Sequence, residues 1–214
     1  MKIVVEERVF SEEIRYICRM NMKLVFASAN PGKIREANEI LCGRFEVIAA
    51  AEAGVTEEIP ETGATIEENS LQKADYLYGR TGLDCFADDT GLEVEALNGG
   101  PGVHTARYGN PSGKDFNANI DRLLREMEGV ENRRARFHTC VTLILNGERH
   151  FFEGIMEGRI ATERHGNGGF GYDPVFLPDG CGGLSAAELT QEEKNAISHR
   201  GKALRALADY LLNI

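Results

Sequence analysis

The stretch Phe86-Ala87-Asp88-Asp89-Thr90-Gly91 carries the densest chemical pattern in the chain. Two adjacent carboxylates follow a short apolar run, and a Thr and a Gly come straight after. Such a run reads as a buried strand, with the Gly permitting a sharp exit turn. The acidic pair would then sit at the carboxyl end of a strand, where open α/β sheets hold their ligands. Paired carboxylates without a Cys or His cluster suit a hard cation such as Mg²⁺, which usually arrives with substrate phosphates. The competing reading is an Asp-rich turn in which Asp88 caps the next segment.

An anionic ligand would need cations gathered locally, because the net charge is −10. That balance, with no long Lys/Arg run, argues against general nucleic-acid binding. Ser28-Ala29-Asn30-Pro31-Gly32-Lys33 joins an apolar run to a helical pattern. Backbone N–H groups at that helix start, with Lys33, can hold an anion. The spacing is not a Walker A motif, since GxxxxGK[ST] is absent. Pro31 near the first helical position equally suits a plain strand-to-helix connection. Lys73 lies on the next predicted helix. Lys194, His199 and Arg200 cluster at a later helix junction, where a solvated charged face is the ordinary alternative. The Gly-rich segment 165–174 is too irregular for a strand. Its glycines around Phe170 suggest backbone held close to a ligand beside an aromatic ring, or else a mobile loop anchored by Phe170.

The elements that must position these groups can be read in order. Residues 1–21 look like an N-terminal extension, because a second natural start occurs at Met22. Leu24–Ala27 reads as the first strand, and apolar positions 34, 37, 40 and 41 share one helical face. Phe45–Ala49 is a second strand, and 57–63 an acidic Pro/Gly loop. Thr65 with Glu68 forms a capping box opening a helix to about Gly79. The Asp88/Asp89 strand follows, then a separate extended piece at Leu92–Leu97. Phe116–Met127 is an amphipathic helix. Arg134–Leu145 and Arg149–Ile160 flank Asn146-Gly147, a strong hairpin signal. Thr190 with Glu193 is another capping box, and a last helix runs from Ser198 to near Leu212.

The 214 residues, 42% of them hydrophobic, suffice for one domain or one domain with two lobes. Five scattered cysteines without a CxxC pair fit neither a disulfide framework nor a zinc site, and suggest a reducing, cytoplasmic setting. No apolar run approaches the ~20 residues of a membrane helix, and the N-terminus alternates too closely for a signal peptide.

Five blocks, taken in order, closely resemble the inosine triphosphate pyrophosphatase family, the house-cleaning dITP/XTP pyrophosphatases. They are SANPGK (28–33), ETGATIEEN (61–69), FADDTGLEVEALNGGPGVHTARYG (86–109), GGFGYDP (168–174) and AAELTQEEKNAISHRGKAL (186–204). The resemblance implies a single domain over 22–214. It implies an elongated α/β fold with a mixed central sheet, two lobes and a deep active-site cleft between them. It also implies a homodimer that uses Mg²⁺ to hydrolyse ITP, dITP or XTP to the monophosphate and pyrophosphate. By the same resemblance, Ser28 to Lys33 hold the triphosphate; the charge of Lys73 places it with the substrate-binding residues as well. Asp89 is proton acceptor and Mg²⁺ ligand, with Asp88 beside it, and Thr90 touches substrate. Phe170, Gly171, Tyr172 and Asp173 line the base pocket, with Phe170 stacked on the purine. Lys194, His199 and Arg200 complete the site. The second metal ligand is left between Glu61 and Glu68. The alternatives are a Mg²⁺-dependent pyrophosphatase of other base preference and a nucleotide-binding protein without turnover.

The residue chemistry is compatible with this reading. Cleaving a phosphoanhydride rests mostly on positioning and charge neutralisation. Lys33, Lys73 and Lys194 with Mg²⁺ can bring a polyanion into an acidic protein. Asp89 can orient or deprotonate the attacking water, whose pKa a nearby cation lowers. Backbone N–H groups and Arg200 can donate to a 6-keto oxygen, where adenine presents a donor instead.

Overall fold

A computed structural model describes residues 22–41, 45–113 and 115–214. The expected extension at 1–21 lies outside the described residues. The chain forms the expected α/β architecture around a mixed sheet. The strands are β1 (Lys23–Phe26), β2 (Glu46–Ala49), β3 (Cys85–Val94), β4 (Pro101–Gly102), β5 (Arg134–Leu145), β6 (Glu148–Ile160) and β7 (Phe176–Pro178). The helices are α1 (Pro31–Leu41), α2 (Ile66–Thr81), α3 (Phe116–Glu126), α4 (Gln191–Ile197) and α5 (His199–Leu212). The strand order is β2-β1-β3-β5-β6-β7, with β4 added to β3. Pairing is parallel between β1 and its neighbours β2 and β3, and antiparallel elsewhere.

β3 departs from expectation. The pattern predicts an exit turn at Gly91 and a separate piece at 92–97. Instead, one strand runs unbroken from Cys85 to Val94, paired with β5 over its whole length, and Glu95–Leu97 is a 3₁₀ turn. The acidic pair therefore lies mid-strand. Gly91 serves close approach rather than a turn: a Cβ there would meet the Gly102 carbonyl and Ile66 Cδ1, each at 2.8 Å. On the side away from β5, β3 pairs with β1 only through Phe86 and with β4 only from Leu92. Residues 87–91 therefore have no strand neighbour on that side among the described residues. This gap, where pairing switches from parallel to antiparallel, is the kind of place open α/β sheets use for ligands.

Local signals explain most boundaries. Asn146 and Gly147 both take positive φ, 51° and 84°, as a tight hairpin between β5 and β6 needs. Thr190 and Glu193 form the full reciprocal cap of α4. At α2 only half of the predicted box forms. Thr65 accepts the Glu68 N–H at 3.1 Å, but the Glu68 carboxylate turns to the Ala64 N–H at 2.6 Å. The helix continues to Thr81 and stops at Gly82, whose left-handed φ of 65° suits glycine.

Both faces of the sheet are covered. Leu24, Phe26, Phe86, Val141 and Leu143 pack with Ala37 and Leu41 of α1 and Leu204, Leu207 and Leu211 of α5. On the other face Val25, Cys85, Ala87 and Ile144 pack with Ala74 and Leu77 of α2. A third cluster gathers Leu92, Val94, Phe137, Met156, Tyr172 and Phe176 around Ile120 and Leu123 of α3. Cover on both faces explains why β3 opens on successive apolar residues, Cys85-Phe86-Ala87, rather than on an alternating pattern.

Candidate active site

Side chains alternate along a strand, so Asp88 and Asp89 leave β3 on opposite faces. Asp88 meets α1 and α5. Its Oδ1 accepts from Lys33 Nζ at 3.0 Å and its Oδ2 from Arg200 Nε at 2.8 Å. Arg200 also donates through Nη1 to Glu36 Oε2 at 2.7 Å and through Nη2 to Thr90 Oγ1 at 3.4 Å. Glu36 is fixed in turn by the Ser198 hydroxyl at 3.1 Å, and Ser198 caps α5. Only 1% of Asp88 is exposed. Burial opposes its charge, but Lys33, Arg200 and Lys73 outweigh that and hold the carboxyl well below its usual range. Burial also works against the Arg200 charge, and Asp88 and Glu36 more than compensate. For Lys33 burial prevails, helped by Lys73 and Arg200, and lowers its pKa despite Asp88.

Asp89 meets α2. Asn69 Nδ2 donates to its Oδ2 at 3.2 Å and Lys73 Nζ to its Oδ1 at 3.2 Å. Asn69 and Lys73 are four apart on α2 and so share a face. Lys73 Nζ also holds Glu61 Oε1 at 2.6 Å. Here burial raises the carboxyl, and the carboxylates of Glu61 and Asp88 add to it. Lys73 and Lys33 only partly offset them, so the pKa ends above its ordinary value. Lys73 shows the converse. Burial lowers it, but Asp89, Asp88 and Glu61 together leave it raised.

The segment 28–33 caps itself. Ser28 Oγ accepts the Asn30 N–H at 3.2 Å, and Asn30 Oδ1 accepts the Gly32 and Lys33 N–H groups at 2.9 and 3.4 Å. The backbone donors expected to meet an anion are thus engaged by the loop's own side chains. Ala29 and Pro31 are exposed beside them.

The glycine-rich loop is organised by a buried carboxylate. Asp173 Oδ2 accepts from the Phe170 N–H at 2.7 Å and from Lys194 Nζ at 2.5 Å. Gly169 and Gly171, at φ 72° and 64°, bracket Phe170 and turn its ring outward, where 47% of the residue is exposed. Lys194 Nζ lies 4.6 Å above that ring. Tyr172 points the other way into the core, with its hydroxyl on the Thr105 carbonyl at 3.0 Å. His199 is buried and stacked on Phe137 at 4.8 Å. Its Nδ1 has no hydrogen-bond partner among the described residues. Burial, then Arg200 and Lys194, push its pKa well down, so the ring is neutral at pH 7.

The structure therefore joins Lys33 and Arg200 to Asp88, with Thr90 reached through Arg200, and Lys73 to Asp89, with Glu61 reached through Lys73. Lys194, Phe170 and Asp173 form a third group, linked to the first through the α4–α5 corner. Glu68 is turned to the Ala64 backbone, whereas Glu61 shares Lys73 with Asp89. Sequence reasoning missed Asn69, Glu36 and Thr139, whose hydroxyl lies 2.7 Å from that of Thr90. Helical spacing from Lys73 and from Lys33 could have found the first two. Thr139 needs the β3–β5 register.

A mixed α/β sheet here sets two carboxylates, their pKa values shifted in opposite directions, among three cations at a gap in its central strand, an arrangement able to receive a polyanion. The chain belongs to the Ham1 family, whose profile matches residues 24–210. It is 52% identical to the dITP/XTP pyrophosphatase of Porphyromonas gingivalis over 192 residues, covering 89% of this chain and 97% of that one. It is 48% identical to the dITP/XTP pyrophosphatase of Flavobacterium psychrophilum, covering 90% and 100%. Among solved structures, the Ham1 protein of Staphylococcus aureus superposes with TM-score 0.82 at 36% identity, covering 89% and 98%. A Ham1 protein of Coxiella burnetii does so with TM-score 0.84 at 38% identity, covering 90% and 100%.

Proposed function

We propose that this protein hydrolyses non-standard purine nucleoside triphosphates, ITP, dITP and XTP, to the monophosphate and pyrophosphate, and so removes them from the nucleotide pool. The observation that carries the reading is the division of the paired carboxylates. Asp88 is fully engaged and ionised, whereas Asp89 has a raised pKa and borders the gap in β3. A base is most effective when its pKa approaches the working pH, and Asp89 is moved in that direction. The names of the relatives, dITP/XTP pyrophosphatases, point to two of these substrates.

In this reading a water attacks the α-phosphorus, the bond to the bridging oxygen breaks, pyrophosphate leaves, and Asp89 takes the water's proton. Lys33 and Lys73 face the phosphates. Asp88 holds Lys33 and Arg200 in place. Phe170 covers the purine, with Lys194 beside it. Arg200 has five N–H donors, of which three are used within the protein. Its two remaining donors are available to a 6-keto purine. A 6-amino group there would leave such donors unpaired, which discriminates strongly.

The residues also fit Mg²⁺. Asp89 and Glu61 bring carboxylate oxygens to the same ammonium, the oxygen-only donor set that this ion takes. Mg²⁺ would supply positive charge against the phosphates and lower the pKa of nearby water. The two lobes with a cleft between them, the homodimer and the cytoplasmic setting belong to this same proposal. The free thiols of Cys85, Cys140 and Cys181 support the last.

Incubation with a panel of nucleoside triphosphates and Mg²⁺, read as pyrophosphate release, tests the reading. Release from ITP, dITP and XTP well above that from ATP is expected. Equal release from ATP would overturn the base assignment, and no release from any would leave a binding protein.

A further inference from the structure

A second cluster of ligating side chains lies outside the Asp88/Asp89 centre. His138 sits on β5, opposite Gly91 of β3 and Ile155 of β6. Only 9% of its side chain is exposed, and Nε2 has no hydrogen-bond partner among the described residues. Buried polar atoms are normally satisfied, so an unpaired ring nitrogen calls for a partner. That nitrogen is 4.0 Å from Glu67 Oε1 and 3.9 Å from Glu153 Oε1, both too far for hydrogen bonds. The three ligand atoms all lie within 4.8 Å of one another. They come from three elements: the first turn of α2, β5 and β6. Behind the ring, Nδ1 faces Glu93 Oε1 at 3.6 Å, and Arg136 holds Glu93 at 2.6 Å. A carboxylate hydrogen-bonded behind an imidazole is the usual support that directs the opposite nitrogen toward a metal, and Glu93 stands on that side, just beyond hydrogen-bond distance.

We propose that Glu67, His138 and Glu153 form a second divalent-cation site, separate from Asp89 and Glu61, for a borderline ion such as Zn²⁺ or Mn²⁺. One imidazole nitrogen with two carboxylates suits such ions, whereas Mg²⁺ favours oxygen alone. Tetrahedral ligands at about 2.1 Å from zinc are roughly 3.4 Å apart, so each glutamate needs to close on the imidazole by about half an ångström, and the two carboxylates on each other by up to about 1.4 Å. Both are about half exposed and can make that adjustment. A bound ion ties the start of α2 to the β5–β6 hairpin. Because α2 also carries Asn69 and Lys73, the ion stiffens the support of Asp89 without touching it.

The competing state is His138 among three carboxylates with no ion bound. Zinc titration of the full chain against a chromophoric chelator, with thermal melts alongside, separates the two. The variants are Glu153→Gln, His138→Asn and Asp89→Asn. Wild type and Asp89→Asn should bind one Zn²⁺ that Glu153→Gln and His138→Asn hold at least tenfold more weakly, as expected for loss of a ligand. At about 100-fold excess over Kd, Zn²⁺ should raise the wild-type Tm by roughly 5 °C or more, and Glu153→Gln should not respond. Glu153 is exposed, so this variant keeps the fold even if His138→Asn does not. Zinc binding and Tm response in Glu153→Gln equal to wild type would overturn the proposal. So would loss of the ion in Asp89→Asn.

Discussion

Asp88 and Asp89 are neighbours in the chain and opposites in the fold. Asp88 faces α1 and α5, is sealed from solvent, and has Lys33 and Arg200 on its two oxygens. Asp89 faces α2, is 9% exposed, and shares one ammonium with Glu61. One carboxyl is held down and the other pushed up. The strand's two-residue period alone places them on different faces, and the helices on each face decide what they become. A DD pair is therefore not two copies of one group. One carboxylate assembles the cationic wall, and the other is left available for chemistry.

The largest effect expected from this contrast is on turnover. Asp89→Asn should lower kcat for ITP by about 10²–10⁴, the usual contribution of a general base, with an unchanged circular dichroism spectrum. A pyrophosphate assay checks it, and near-wild-type rates in the folded variant would end the assignment.

Asp88→Asn should act on stability as well. Removing one partner of a buried pair costs about 3–5 kcal/mol, or roughly 6–20 °C in Tm for a chain of this size. Its pH dependence has a definite sign. The folded pKa of Asp88 is depressed, so its stabilisation is complete above the unfolded value near 3.8 and is lost as pH falls below it. Urea midpoints measured from neutral pH down through that window should fall more steeply for wild type than for Asp88→Asn.

Phe170→Ala sharpens the contrast from outside the carboxylate pair. Its exposed ring, turned out by two left-handed glycines, should contribute to binding in ground and transition states alike. Loss of a stacked ring typically costs about 1–3 kcal/mol, so KM for ITP should rise roughly tenfold or more with little change in kcat. Steady-state kinetics decides it, and an unchanged KM would mean that the ring packs only against protein. The smallest effect is expected from deleting residues 1–21. With the family match beginning at residue 24, kcat/KM should stay within about twofold, well under the ~1.4 kcal/mol of a tenfold change.

Much of this was legible from local signals. The Asn146-Gly147 hairpin, the Thr190–Glu193 cap and the last helix follow from residues a few positions apart, where backbone preference decides. Gly91 misleads because a glycine that permits a turn and one that permits close approach look the same in sequence. Only β4 and Ile66 pressed against it show which it is. The partners Glu36 and Asn69 stood at helical spacing from Lys33 and Lys73 and were within reach. The Asp173–Lys194 pair and the His138 cluster were not, because strand register and loop packing bring them together from distant positions. The opposite pKa shifts of Asp88 and Asp89 were hidden for the same reason: charge and burial, not residue type, set them.

The most direct test of that opposition is the melting temperature of Asp88→Asn and Asp89→Asn in the metal-free protein at pH 7. Removing a charge the fold stabilises should lower Tm, whereas removing one the fold opposes should not. Asp88→Asn is expected to melt well below wild type, and Asp89→Asn at or above it. Equal losses in the two variants, or the larger loss in Asp89→Asn, would contradict the account.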